Sequence, residues 1–242
     1  MLAYSYLFYS LFFLLILTII LWLRRDLVKD TVPALVFGAV AGPVSEILYF
    51  SDYWTPESAF KVGPVLLEDM LFGVAIFGLA LVLYPFARQK SLGPIASGGE
   101  RHIRTFGTLL AGASLMFCFM VLLNVNSVFA TALTFVLLWM FIAFHRKDLF
   151  LPGLLSGLYL AGISVLFYAV FLNVLVLAGY LEQIWKLSGS QLGITLLGNV
   201  PVSEIVWFLG TGCFLSVFEL FVNKREYHAR DARKAAALHE LP

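Results

Sequence analysis

Charge is what this chain has least of: 13% of its 242 residues are Asp, Glu, Lys or Arg, against 61% hydrophobic. So little charge cannot solvate an ordinary globular surface of this size, and the composition is that of a polytopic membrane protein. Net charge is +1, so the total says nothing about partners, and no motif supports nucleic-acid binding. Cysteine is scarce as well. Cys118 and Cys213 both fall in apolar runs with no metal-type spacing, and read as small core hydrophobes. No G-x-G-x-x-G fingerprint occurs, so neither a flavin nor another dinucleotide cofactor is expected. The first apolar run has no basic residue before it, while Arg24 and Arg25 follow it. That is the pattern of a first transmembrane helix, not of a removable signal peptide.

Long hydrophobic runs are abundant. Seven approach or exceed the length of about 20 residues that a span needs: Tyr4–Leu23, Thr31–Phe50, Val65–Phe86, Phe106–Leu123, Val128–Phe144, Leu151–Tyr180 and Val200–Val222. Seven spans put the termini on opposite sides, and the basic residues test that count. Fourteen of the 16 Lys and Arg fall on one side, in Arg24–Asp30, Ala87–Thr105, His145–Asp148 and the tail from Asn223. Only Lys61 and Lys186 fall on the other. Basic residues mark cytoplasmic loops, so the N-terminus is expected outside and the C-terminus in the cytoplasm of a multi-pass cell-membrane protein.

The expected fold is all-α, with two parallel three-helix repeats joined by a linking helix. Residues 1–86 form the first repeat, 87–127 a cytoplasmic loop and helix four, 128–222 the second repeat, and 223–242 a tail. The loop stretch SLGPIASGGE reads as a flexible connector. The tail from His228 to Leu241 has the composition of a short helix. Asp52 and Trp54 read as interfacial loop residues, or as neighbours of a site.

The apolar spans carry acids without bases. Glu46, Glu68, Asp69, Glu204 and Glu219 lie within them, and no Lys or Arg does. Intramembrane acids are costly and are functional candidates by default. Two occur in the same pentapeptide, Pro-Val-Ser-Glu-Ile, at Pro43–Ile47 and Pro201–Ile205. The two copies run in opposite directions through the membrane, so they are not the duplicated unit. Both nevertheless place a glutamate near the outer leaflet. On the second span Gly38, Gly42, Glu46 and Tyr49 share one helical face, and the two glycines suit close helix contact. Glu204, Trp207, Phe208 and Thr211 share a face on the seventh, whereas the adjacent Glu68 and Asp69 cannot point the same way. Tyr49, Phe72, Trp207 and Phe208 supply aromatic faces beside the acids, suited to a passing cation. Each acid has a plainer reading as an interhelical hydrogen-bonding group or a residue reaching the surface. For Glu219, near the cytoplasmic end, the solvated reading is favoured.

These residues resemble a known family, the integral-membrane lycopene cyclases of the heterodimeric bacterial, archaeal and fungal type, whose two repeated domains each carry a Pro-x-Glu-Glu motif followed by an aromatic-rich helix. Leu66-Leu67-Glu68-Asp69-Met70-Leu71-Phe72 resembles one copy. Pro201-Val202-Ser203-Glu204-Ile205-Val206-Trp207-Phe208 resembles the other. The chain departs from the motif at Leu66, Asp69 and Ser203, so three of four acidic positions remain acidic. The resemblance implies an isomerase, formally an intramolecular lyase, of carotenoid biosynthesis. A proton adds to a terminal alkene of an isoprenoid, the carbocation closes a ring and a proton leaves. Glu68, Asp69 and Glu204 would supply acid and base with Glu46 beside them, and Tyr49, Phe72, Trp207 and Phe208 would hold the substrate. No cofactor or metal is implied. The expected partners are a lipid-soluble carotenoid or related isoprenoid, membrane lipid and a further chain in a homo- or hetero-oligomer. The alternative is a proton- or cation-coupled transporter using the same carboxylates, with Thr211, Ser216 and Glu219 hinting at a path to the inner side. An opsin would need an intramembrane lysine, and a metal-dependent prenyltransferase would need basic residues for diphosphate; both are lacking here.

Overall fold

A computed structural model describes residues 4–62, 65–94, 101–175, 180–186 and 193–230. Its helices are α1 (Ser5–Leu23), α2 (Val28–Asp52), α3 (Leu67–Ala87), α4 (Arg101–Phe117), α5 (Ser127–His145), α6 (Phe150–Val170), the short α7 (Tyr180–Ile184) and α8 (Val202–Val222). α4 and α6 continue as π-helical turns, Cys118–Leu122 and Phe171–Leu175. Seven of these helices are long and apolar enough to cross a membrane, and the molecule is a multi-pass, all-α protein. Six short strands pair two by two: β1 (Lys61–Val62) with β2 (Val65–Leu66), β3 (Lys90–Pro94) with β6 (Arg225–Ala229), and β4 (Thr195–Leu196) with β5 (Val200–Pro201).

In lipid a helix gains nothing by hiding apolar side chains, so association rests on close packing and interhelical hydrogen bonds. α3 and α8 are the central helices by that measure. α3 packs on α1 and α2, α8 packs on α5 and α6, and the two touch each other. Small residues permit the approach. Gly38 and Gly42 of α2 lie against Gly73 and the Asp69 carbonyl of α3, and Gly157 of α6 lies against Gly212 of α8. The buried face of α2 is Thr31, Gly38, Gly42, Glu46 and Tyr49. α4 leans mainly on α5 and leaves Phe106, Leu109, Leu110 and Phe117 exposed, as a helix bathed in acyl chains can.

One end of the bundle, here the lower end, is closed by the antiparallel pair β3–β6, with Lys90 opposite Ala229 and Pro94 opposite Arg225. Arg24 is buried there at 2% exposure. Its guanidinium grips Asp26 through two bonds of 2.8 Å and donates to the carbonyls of Pro85 (2.9 Å) and Lys90 (2.5 Å). Arg146 repeats the arrangement, gripping Asp148 and donating to the Arg225 carbonyl at 3.1 Å. Each arginine follows a helix, opens a single 3₁₀ turn and is followed by a buried leucine, Leu27 or Leu149. Arg24-Arg25-Asp26-Leu27 and Arg146-Lys147-Asp148-Leu149 are thus one local design used twice. The strand pair departs from the sequence expectation in two places. Ser91–Pro94 of the expected flexible connector are in β3, because an antiparallel partner satisfies their backbone, while 95–100 lie outside the described residues. His228 and Ala229 of the expected tail helix are in β6, and 231–242 lie outside the described residues.

Candidate functional site

The upper end of the bundle, where α1, α3 and α8 begin, gathers the acids. α3 and α8 start alike. A two-stranded hairpin precedes each, the N-cap residue (Leu66 or Pro201) is extended, and an acid occupies the first turn. An acid there suits the positive end of the helix dipole and its unpaired N–H groups. Asp69 uses this directly, accepting from the Leu66 N–H at 3.3 Å. Its other oxygen accepts from the Tyr6 hydroxyl of α1 at 2.8 Å.

Glu204 is held by three side-chain donors. Tyr53 donates to Oε1 at 2.5 Å, Trp185 to Oε1 at 2.9 Å and Tyr168 to Oε2 at 2.9 Å. Three donors converging on one carboxylate can carry a negative charge that lipid surroundings cannot. Burial, and after it the Glu204 charge, push the Tyr53 hydroxyl well above its usual range, so it stays a donor. Glu46 is held differently. The Trp54 indole N–H donates to Oε2 at 2.7 Å and is the one hydrogen-bond donor that reaches Glu46 among the described residues.

Glu46 and Glu204 line one narrow cleft with Tyr9, Tyr49, Tyr53, Trp54, Phe72, Val128 and Trp207, with free room for about one water molecule. The two Pro-Val-Ser-Glu-Ile segments therefore meet at one site. Asp69 stands behind the wall, on Tyr6. Aromatic faces dominate the lining. Phe72 stacks between Tyr9 and Trp207, with centroids 4.9 and 6.0 Å away. Phe208 lies deeper and does not reach the cleft. It stacks on Phe13 at 5.4 Å and closes the floor. Half-buried Trp207 donates to the Tyr49 hydroxyl at 2.9 Å, and Tyr49 donates to Thr131 of α5 at 3.1 Å, so one chain spans α8, α2 and α5.

Glu68 points elsewhere. It accepts from the Ser58 hydroxyl (2.8 Å) and from the N–H groups of Ala59 (2.8 Å) and Phe60 (3.3 Å), and so anchors the 58–60 loop. Adjacent residues on a helix diverge by about 100°, which separates it from Asp69. Glu219 lies at the lower end, beside Asn223 and Arg225. Asp52 is the last residue of α2 and Trp54 lies in the loop after it, each with partners inside the fold. Trp54 is 6% exposed, and Asp52 accepts from the N–H and hydroxyl of Ser127. Trp54 pairs with Trp185 in an antiparallel bridge that ties the two upper loops together.

Sequence reasoning singled out the acids and missed the groups that hold them: Tyr6, Tyr9, Tyr53, Tyr168 and Trp185. One signal was present for the wider arrangement, the twice-used Arg-x-Asp-Leu turn. The donors themselves come from four segments far apart in the chain and carry no shared spacing. Among the described residues no group of His, Cys, Asp and Glu is arranged to hold a metal ion. No family model, curated protein or solved structure matches the chain.

Proposed function

We propose that the chain is a membrane isomerase of the lycopene cyclase kind, which cyclises the end group of a carotenoid or related isoprenoid by proton transfer. The observation that carries this reading is the pairing of Glu46 and Glu204 in a single aromatic-lined cleft with no basic side chain among the described residues of its lining. Glu46, held by one donor, delivers a proton to the terminal alkene. The ring closes on the resulting carbocation, whose charge faces Phe72, Trp207 and Tyr9. Glu204, solvated by Tyr53, Tyr168 and Trp185, faces the developing cation and accepts the proton that leaves. Asp69 supports the first acid through the shared wall of Tyr6 and Trp54, whose rings meet edge-on at 5.0 Å. Glu68 acts as a loop anchor.

The twice-used Arg-x-Asp-Leu turn, the hairpins before α3 and α8 and the strands after them support two parallel repeats, α1–α3 and α5–α8, linked by α4. The excess of Lys and Arg supports a cytoplasmic lower end and an outer site. The transporter reading has less behind it. Below the cleft, Phe13, Ile76, Leu79 and Phe208 fill the centre, and Ser216 donates within its own helix.

Pigment analysis of lycopene-accumulating cells expressing the chain tests the reading. Cyclised product is expected, with Glu204→Gln and Glu46→Gln losing it by about 100-fold or more, while Glu68→Gln keeps most of it. Full activity in Glu204→Gln, with the variant confirmed in the membrane, removes Glu204 from the chemistry. Unchanged lycopene in cells holding the intact protein refutes this substrate.

A further inference from the structure

A second cavity adjoins the cleft at the upper end of the bundle. It is lined by Ser5, Tyr6, Tyr9, Trp54, Pro56, Tyr168, Phe171 and Trp185. Tyr9 and Trp54 line both spaces and form the wall between them. Through that wall runs one chain of hydroxyls. Tyr9 and Tyr168 share a short hydrogen bond, and Tyr168 donates to Oε2 of Glu204. All three side chains are buried. A tyrosine hydroxyl both donates and accepts, so it can pass a proton on. The indole N–H of Trp54, the one donor to Glu46 among the described residues, only donates and cannot.

We propose that the Tyr9–Tyr168 pair is a proton relay between water in this upper cavity and Glu204; the purpose given to it rests on the isomerase reading, the relay itself does not. When Glu204 takes up a proton, Tyr168 releases its own to Oε2. Tyr168 receives the Tyr9 proton, and Tyr9 receives one from water. Each hydroxyl ends with one proton, and hydroxide is left in the cavity. The reverse sequence empties Glu204 after it has taken a proton from substrate. The titratable groups facing Glu204 are Tyr53 from the end of α2, Glu46 and Tyr49 from α2, Tyr168 from α6 and Tyr9 from α1. Tyr53 also bonds to Glu204 but lines the substrate cleft and not the upper cavity, so it lies off the path. The arrangement divides the acids. Glu204 exchanges protons with water, whereas Glu46 is shielded behind Trp54 and exchanges through the cleft.

Time-resolved infrared spectroscopy after a pH jump tests the relay without any substrate. Purified protein in lipid nanodiscs is used, and the Glu204 carboxyl signal is assigned by its disappearance in Glu204→Gln. Tyr168→Phe and Tyr9→Phe keep the rings and their packing. Each is expected to slow the Glu204 response at least about tenfold, while Tyr227→Phe, in β6 at the lower end of the bundle, leaves its rate near that of the wild type. Equal rates in all four proteins, or a Glu204 signal that ignores bulk pH, overturn the relay. Either result leaves the isomerase reading standing. An intact relay in a protein that makes no cyclised product leaves the relay and removes the isomerase.

Discussion

The closest backbone approach in the bundle gives a direct test of how the acids are positioned. Gly42 of α2 faces α3, and a methyl group there would overlap the Asp69 carbonyl oxygen. It would also lie 3.0 Å from the Asp69 carbonyl carbon and 3.3 Å from the Gly73 Cα. Carbon atoms rest at about 3.5–4.0 Å. Gly42→Ala must therefore part α2 and α3 by roughly 0.5–1 Å, because backbone cannot swing aside as a side chain can. Overpacking of this kind costs about 1–3 kcal/mol. For a chain of this size that lowers Tm by about 2–12 °C. The displacement also reaches the chemistry, since Glu46 is one turn beyond Gly42 and Asp69 is the residue pushed. The control is Gly107→Ala on α4, where a Cβ meets nothing within 4 Å and alanine is the better helix former. Thermal unfolding in one detergent or nanodisc preparation compares the two. A Gly42→Ala protein that melts at or above Gly107→Ala refutes the close α2–α3 contact and the placement of the acids that depends on it.

Two other outcomes follow from the charges and phenols outside the spans. Arg24→Gln removes a buried guanidinium and leaves the Pro85 and Lys90 carbonyls and Asp26 short of donors, so a loss of about 3–5 kcal/mol is expected. The corresponding Arg146→Gln, at a site 20% exposed, is expected to lose about 1 kcal/mol; equal losses in paired unfolding curves contradict the buried lock. Tyr53 and Tyr227 both have hydroxyls pushed up from an ordinary value of 10.0, in each case by burial first. Their stabilisation is complete below about pH 10 and falls as pH rises, because the unfolded chain ionises there and the folded one does not. Unfolding temperatures measured from pH 8 to 11 should fall more steeply for the wild type than for Tyr53→Phe or Tyr227→Phe, and coincident slopes argue against it.

The seven spans were legible in the chain because length and apolarity are all that a bilayer crossing requires. The buried face of α2 was legible too, because Gly38, Gly42, Glu46 and Tyr49 recur at helical spacing. The residues that hold the acids were not. Tyr6, Tyr53, Tyr168 and Trp185 look in sequence like the aromatic residues common to any membrane protein, and nothing local says which hydroxyl meets which carboxylate. The tail misled for a related reason. His228 and Ala229 have helical composition, but β3 offers an unpaired edge, and a strand's partner is chosen across the fold.

By itself, then, the sequence determined a seven-span, all-α membrane protein and the positions of its costly acids, since both follow from the free energy of moving residues between water and lipid. Only the tertiary structure decided which acids share a cleft. It brought Glu46 and Glu204 together from helices more than 150 residues apart, turned Glu68 out to a loop, and set Tyr9 and Tyr168 between a second cavity and Glu204. The physical reason is that transfer energies act on each residue alone, whereas a hydrogen bond inside a bilayer exists only where packing delivers both partners.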